Sequence, residues 1–194
     1  VDIWDNNSQN DWQITVQGVV PEGFVMDGAF DSEGYKVVDV GDYTNLYVAI
    51  KGTDLYVATA SEEWNDSFIF VTKELGNGAP SPWDKNGYAF FDQSSSPYFA
   101  TEGDTEITYQ NNVTGVATSK PGGAYECSFN LLDTFGSVPD HLYIAAVVYQ
   151  NNTGGGMVRQ VPATWGGANN DLEIMEFQRI EIASVRDDDG DGTF

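Results

Sequence analysis

The stretch "DDDGDGT", residues 187–193, gathers oxygen ligands on a backbone that must turn sharply. Asp187, Asp189 and Asp191 fall at the first, third and fifth positions of a calcium loop. Gly192 stands at the turn, and Thr193 stands where a backbone carbonyl ligates. The bidentate acid of the twelfth position would lie beyond Phe194, so the motif reads as the start of an Asp-rich linker or repeat spanning 187–194. The plainer alternative is a solvated acidic tail. A second acidic group, "MDGAFDSEGY", holds Asp27 and Asp31 with Glu33 beside them. It suits a calcium loop and an ordinary turn before an exposed strand equally well.

The second chemistry on offer is aromatic. Trp64, Trp83 and Trp165 all sit beside Gly, Pro, Asn or Asp, in segments where a core residue is less expected. An exposed indole is a rigid apolar face whose electron-rich surface attracts the polarised C–H groups of a sugar ring. Trp64 is followed closely by Asp66, and Trp83 by Tyr88, so polar groups for hydroxyls lie near each. Each Trp taken alone reads equally well as a cap on the end of the core. Trp4 and Trp12 read as packing residues.

Catalytic machinery finds little support. His141 is the only histidine and stands at a strand entrance, where a lone His is usually structural, so Ser–His and Cys–His machinery is not expected and a zinc site would need more His or Cys. The glycines of "TGGGM" are not followed by a helix that could receive a phosphate. The chain therefore reads as a non-enzymatic accessory domain attached to other domains of a larger protein. With 30 acidic against 8 basic residues and a net charge of −22, it repels nucleic acid and anionic membranes. It suits cations and neutral ligands instead. Cys127, the one cysteine, excludes an internal disulfide and shares strand parity with Tyr125 and Phe129, as a buried thiol would. No apolar run of membrane-spanning length occurs.

These residues need a scaffold, and the pattern of the chain supplies one. Short alternating or apolar segments recur between turn signals, which predicts strands. In "YTNLYVAIKGTDLYVATA", Leu46, Val48 and Ile50 share one parity, a turn follows at Gly52-Thr53-Asp54, and Leu55 and Val57 resume the pattern. Further strands are expected at 12–19, 67–73, 87–92, 105–109, 113–119, 124–130, 142–149, 156–161 and 172–185, the last bent near Glu176 and Phe177. "NLLDTFG" has room for one helical turn. Segments 76–86, 92–104, 150–156 and 162–171 are expected to be long polar loops. The fold class is all-β, a two-sheet antiparallel sandwich of jelly-roll type over residues 1–186.

Several motifs, taken in order, resemble carbohydrate-binding module family 9 and the wider DOMON-like sandwiches. "VMDGAFDSEGY" is similar to that family's opening, "NLYVAI" and "DLYVATA" to its early strands, and "EEWNDSFIFV" to its segment where a Trp precedes an apolar strand. "GGAYECSFNLL", "LYIAAVVYQNN" and "TWGGANNDLEIMEFQRIEI" are similar to its later strands and closing Trp loop. The family carries an acid inside the strand after the first Trp, where this chain has Phe68, Ile69 and Phe70. The C-terminal motif resembles the calcium repeats of dockerins and thrombospondin type 3 linkers.

The resemblance implies a Trp64–Trp165 pair that sandwiches a sugar, with structural calcium. It implies a secreted or cell-surface multidomain protein whose module binds a polysaccharide or oligosaccharide. The alternative is a structural or adhesion module of a calcium-dependent surface protein. A haem-binding reading, taken from DOMON relatives, would have to draw its axial ligand from His141, Met26, Met157 or Met175.

Overall fold

Two kinds of strand pattern in this chain produce two kinds of environment. The computed structural model describes residues 14–15, 26–29, 36–40, 45–92, 94–103, 105–163, 170–172 and 176–182. Its strands are Ile14–Thr15 (β1), Lys36–Val40 (β2), Asn45–Lys51 (β3), Asp54–Ala60 (β4), Asn65–Thr72 (β5), Leu75–Pro80 (β6) and Tyr88–Phe91 (β7). They continue with Tyr98–Thr101 (β8), Thr108–Asn111 (β9), Gly115–Ser119 (β10), Ala124–Asn130 (β11), His141–Gln150 (β12), Met157–Val161 (β13) and Gln178–Glu181 (β14).

The expected hairpin is β3 and β4, closed by a two-residue turn that Gly52 opens at φ 59°. A primed hairpin turn needs that left-handed position, which costs glycine nothing. With β2, β10 and β11 the hairpin forms an antiparallel sheet in the order β10-β11-β4-β3-β2. The larger sheet runs β1-β14-β12-β5-β8-β9, and β13 lies beside the second half of β12. It is antiparallel apart from the short β1–β14 pairing.

Between the sheets lie Leu46, Val48, Leu55, Val57, Tyr125 and Cys127 of one, against Ile69, Val71, Phe99, Leu142, Ile144 and Ile180 of the other. The fold is therefore the all-β sandwich that the alternation predicts. Burial of each large side chain contributes about 1.5–3 kcal/mol. Cys127 is buried in this core, and that burial pushes its thiol pKa well up.

The larger sheet is buried on its other face as well. There Phe68, Phe70, Ala145, Val147 and Tyr149 pack against Ala89 and Phe91 of the two-stranded β6–β7 ribbon, with Leu172 and Phe177 beside them. This third layer accounts for the near-continuous apolar runs "SFIFV" and "YIAAVVY": a strand covered on both faces has no solvent side to mark with polar residues.

The ribbon also corrects the expected loops. Residues 75–80 are a strand and 98–101 another, within segments expected to be irregular. "LGNGAP" lacks the β-branched and aromatic residues that signal a strand, and its pairing with β7 shifts register between Leu75 and Ala79. Strand β2 gave no recognised signal, and the final strand occupies only 178–181 of the expected 172–185 among the described residues. The single helical turn is Leu131–Phe135 (α1), where the Asn130 side chain accepts from the Asp133 N–H and Gly136 ends the helix at φ 75°.

Candidate functional site

Trp64 lies immediately before β5 and is 74% exposed, the most exposed large hydrophobic side chain among the described residues. Its frame is tightly held. Ser61 N–H donates to Gly123 O at 2.9 Å, and the Ser61 and Ser119 hydroxyls share a hydrogen bond of 2.8 Å. Glu62 pairs with Arg159. Asn65 pairs in register with Gln150, and Gly103 presses so close that a Cβ there would meet the Asn65 backbone N and O at 2.2 Å. The exposed indole therefore projects from backbone fixed on both sides.

Asp66, expected to offer a carboxylate to hydroxyls, is instead buried and fully engaged. Its Oδ2 lies 2.6 Å from Lys85 Nζ, and its Oδ1 accepts from Gly103 N–H at 3.3 Å. Lys85 also donates to the carbonyls of Gln150 at 2.8 Å and Asn152 at 3.0 Å. An ammonium has three protons, so every donor of this buried lysine has an acceptor. The pair joins the start of β5, the β12–β13 connection and the 81–87 turn.

That turn presents Trp83. It is half-buried, with its ring edge-on to Phe68 at 4.9 Å and 68° and to Tyr109 at 5.0 Å and 86°. Trp83 and Asp84 both take left-handed backbone, at φ 59° and 52°. Left-handed non-glycine residues cost about 1–3 kcal/mol each and persist only where their surroundings hold them. Tyr88, 52% exposed, stands on the ribbon, and its N–H donates to Asp171 Oδ1 at 2.8 Å. The structure thus places Trp64 just before β5 and Asp66 within it, sets Trp83 on the turn that packs against Phe68 of β5, and puts Tyr88 on the ribbon.

Trp165 lies outside the described residues, as do Asp31, Asp187, Asp189, Asp191 and Thr193. Asp27 is exposed, and its Oδ1 accepts from Ala29 N–H at 2.9 Å within its own turn. Among the described residues no three His, Cys, Asp or Glu side chains converge as a metal site. Asp27 by itself does not make one. His141 opens β12, edge-on to Tyr143 at 5.3 Å. Burial, with Arg179 adding to it, lowers its pKa.

A cleft of ≈ 540 Å³ opens near the far end of β5 between Thr72, Asn77, Gly78, Asp92 and Ser94. Serine hydroxyls and the Ser94 N–H all bond to Asp92 there and lower its pKa. Sequence reasoning missed Lys85 and Tyr109. A lysine between Asp84 and Asn86 in a chain with only 8 basic residues was the available signal for the first, and nothing in the spacing marked the second.

No protein-family model matches the chain, and no curated protein matches it. Among solved structures it is similar to a family 9 carbohydrate-binding module from Caldicellulosiruptor kristjanssonii in complex with cellotriose. The identity is 12%, the TM-score 0.51, and the match covers 91% of this chain and 96% of that one. A structure described as a family 9 module from the same organism, in complex with glucose, matches at 13% identity and a TM-score of 0.49, over 90% and 97% of the two chains. At such identity the likeness extends to the fold.

Proposed function

We propose that this chain is a non-catalytic carbohydrate-binding module that holds a polysaccharide or oligosaccharide by stacking a sugar ring on Trp64. The observation that carries the reading is an indole 74% exposed on a frame pinned by the Asn65–Gln150 pairing and the close approach of Gly103. A large apolar face left in water on a fixed backbone is arranged for a flat apolar ligand surface, because only the two side-chain torsions of the indole remain to be ordered on contact. The cellotriose complex of the structural neighbour supports the ligand class by analogy. Trp165 enters as the second stacking residue through the family resemblance. Asp66 acts beneath the platform, and Tyr88 and Trp83 extend the aromatic surface.

Calcium belongs to the proposal through Asp187, Asp189, Asp191 and Thr193, and through Asp27 and Asp31. Their oxygen chemistry suits a hard cation. A secreted multidomain parent fits a polysaccharide ligand and an acidic surface. The deciding experiment is intrinsic tryptophan fluorescence during titration with soluble oligosaccharides, with calcium and then with EDTA. A saturable change abolished in the Trp64→Ala, Trp165→Ala double variant supports the reading. A flat response across neutral sugars, with calcium still raising the melting temperature, overturns it in favour of a calcium-stabilised structural module.

A further inference from the structure

The register of the larger sheet aligns Phe68 of β5, Ala100 of β8 and Tyr109 of β9 in one row on the outer face. Ala100 leaves a gap in that row, and the Trp83 ring sits against both flanking aromatics, 4.9 Å from Phe68 and 5.0 Å from Tyr109. The row ends at solvent, where Tyr109 is 41% exposed on the edge strand. Trp64 stands two residues before Asp66, whose carboxylate meets Lys85 of the turn that carries Trp83. We infer that Trp83 and Tyr109 form a second sugar-stacking platform, so that the ligand is a neutral oligosaccharide chain engaged at two points rather than one terminal sugar. The inference rests on the reading of Trp64 as the first platform.

Three observations carry it. Along the backbone, Asn65, which follows Trp64, and Phe68, on which Trp83 packs, are three strand steps apart, about 10 Å, a spacing longer than one pyranose ring. The left-handed backbone at Trp83 and Asp84 is strained, and the buried Lys85 that follows holds it, which fixes the indole against Tyr109. Between the platforms lies the Asp66–Lys85 pair, whose cation has all three donors engaged. With no ammonium free at that point and a chain charge of −22, the surface favours an uncharged ligand over an anionic one.

The test is calorimetric titration of the whole chain with glucose and with β-1,4-linked gluco-, xylo- and manno-oligosaccharides of increasing length. The variants are Tyr109→Ala, Tyr109→Phe and Trp64→Ala. Trp83 is left intact because it packs on Phe68. We expect affinity to rise with length. In Tyr109→Ala the longer members weaken about five- to tenfold, as loss of one stacking contact implies, while the shortest bound sugar is unchanged and Tyr109→Phe behaves as the parent. A parent affinity independent of length overturns the second platform alone, as does a length gain that survives Tyr109→Ala. Unaltered binding of the shortest sugar in Trp64→Ala removes the first platform but leaves a Tyr109-dependent gain standing. No binding by any member of the series overturns both.

Discussion

Lys85 Nζ and Asp66 Oδ2 stand 2.6 Å apart with their side chains 3% and 4% exposed, beneath the outer turn and at the start of β5. Two buried charges are tolerable because each satisfies the other and the remaining lysine protons meet carbonyls. The pair also fastens the turn that carries Trp83 to the strand that follows Trp64.

Breaking that pair from one side is expected to be severe. Lys85→Met strands a buried carboxylate and should lower unfolding free energy by about 3–5 kcal/mol. The Asp66→Asn, Lys85→Met double variant, with no net charge left, should recover part of the loss. Urea unfolding midpoints of the parent and these variants check it. A single-variant loss below about 1 kcal/mol would show that solvent screens the pair.

Trp64 and Phe68 are four residues apart and should behave oppositely. Trp64→Ala removes an exposed ring and should shift stability by no more than about 0.5 kcal/mol, yet weaken sugar binding at least tenfold. Phe68→Ala empties a site between the larger sheet and the ribbon and should cost about 3–5 kcal/mol. Thermal unfolding run beside the fluorescence titration separates the two. Equal destabilisation by both changes would mean that Trp64 caps the core.

The contrast also shows what the sequence made legible. The alternation in "NLYVAI" and "DLYVATA" marks strands with distinct faces, and the structure pairs them as expected. "SFIFV" is as apolar as a strand can be, but its apolarity does not say what covers the second face. The cover is the ribbon, and "LGNGAP" forms its first strand through backbone pairing and glycine, neither of which leaves a hydrophobic period. Trp64 was legible because an indole among acids and amides is conspicuous. Lys85 was not, because its partners lie 19 residues earlier at Asp66 and 65 and 67 residues later at Gln150 and Asn152.

Gly103 tests whether Trp64 depends on its frame. An alanine methyl would press on the Asn65 backbone at 2.2 Å, and backbone cannot swing aside as a flexible side chain can. Gly103→Ala should cost about 1–3 kcal/mol through overpacking and should also weaken sugar binding, because Trp64 is the next residue. Gly136→Ala is a control in open space, although its φ of 75° adds some backbone strain. It should lower stability and leave sugar affinity intact. Equal affinity in both variants would detach the platform from its frame.

Alkaline pH offers a test of the buried tyrosines. Burial, with Asp171 adding and the Ser81 hydrogen bond opposing, pushes Tyr149 from its ordinary 10.0 up to about 12. Burial raises Tyr125 well above 10.0 too, with Cys127 adding to it. A raised pKa means that the folded chain keeps a proton which the unfolded chain has already released. Stability from Tyr149 is therefore complete below pH 10 and is lost as pH climbs through about 12, a decline of about 2–3 kcal/mol. Tyr125 adds to the loss over the same rise. Urea unfolding between pH 9 and 12, as an order-of-magnitude window, should show this fall, with a shallower slope in Tyr149→Phe. In parallel, phenolate absorbance should appear first from the exposed tyrosines, and from Tyr125 and Tyr149 only as the fold opens. A phenolate count that reaches every tyrosine before unfolding would place those two rings in contact with water.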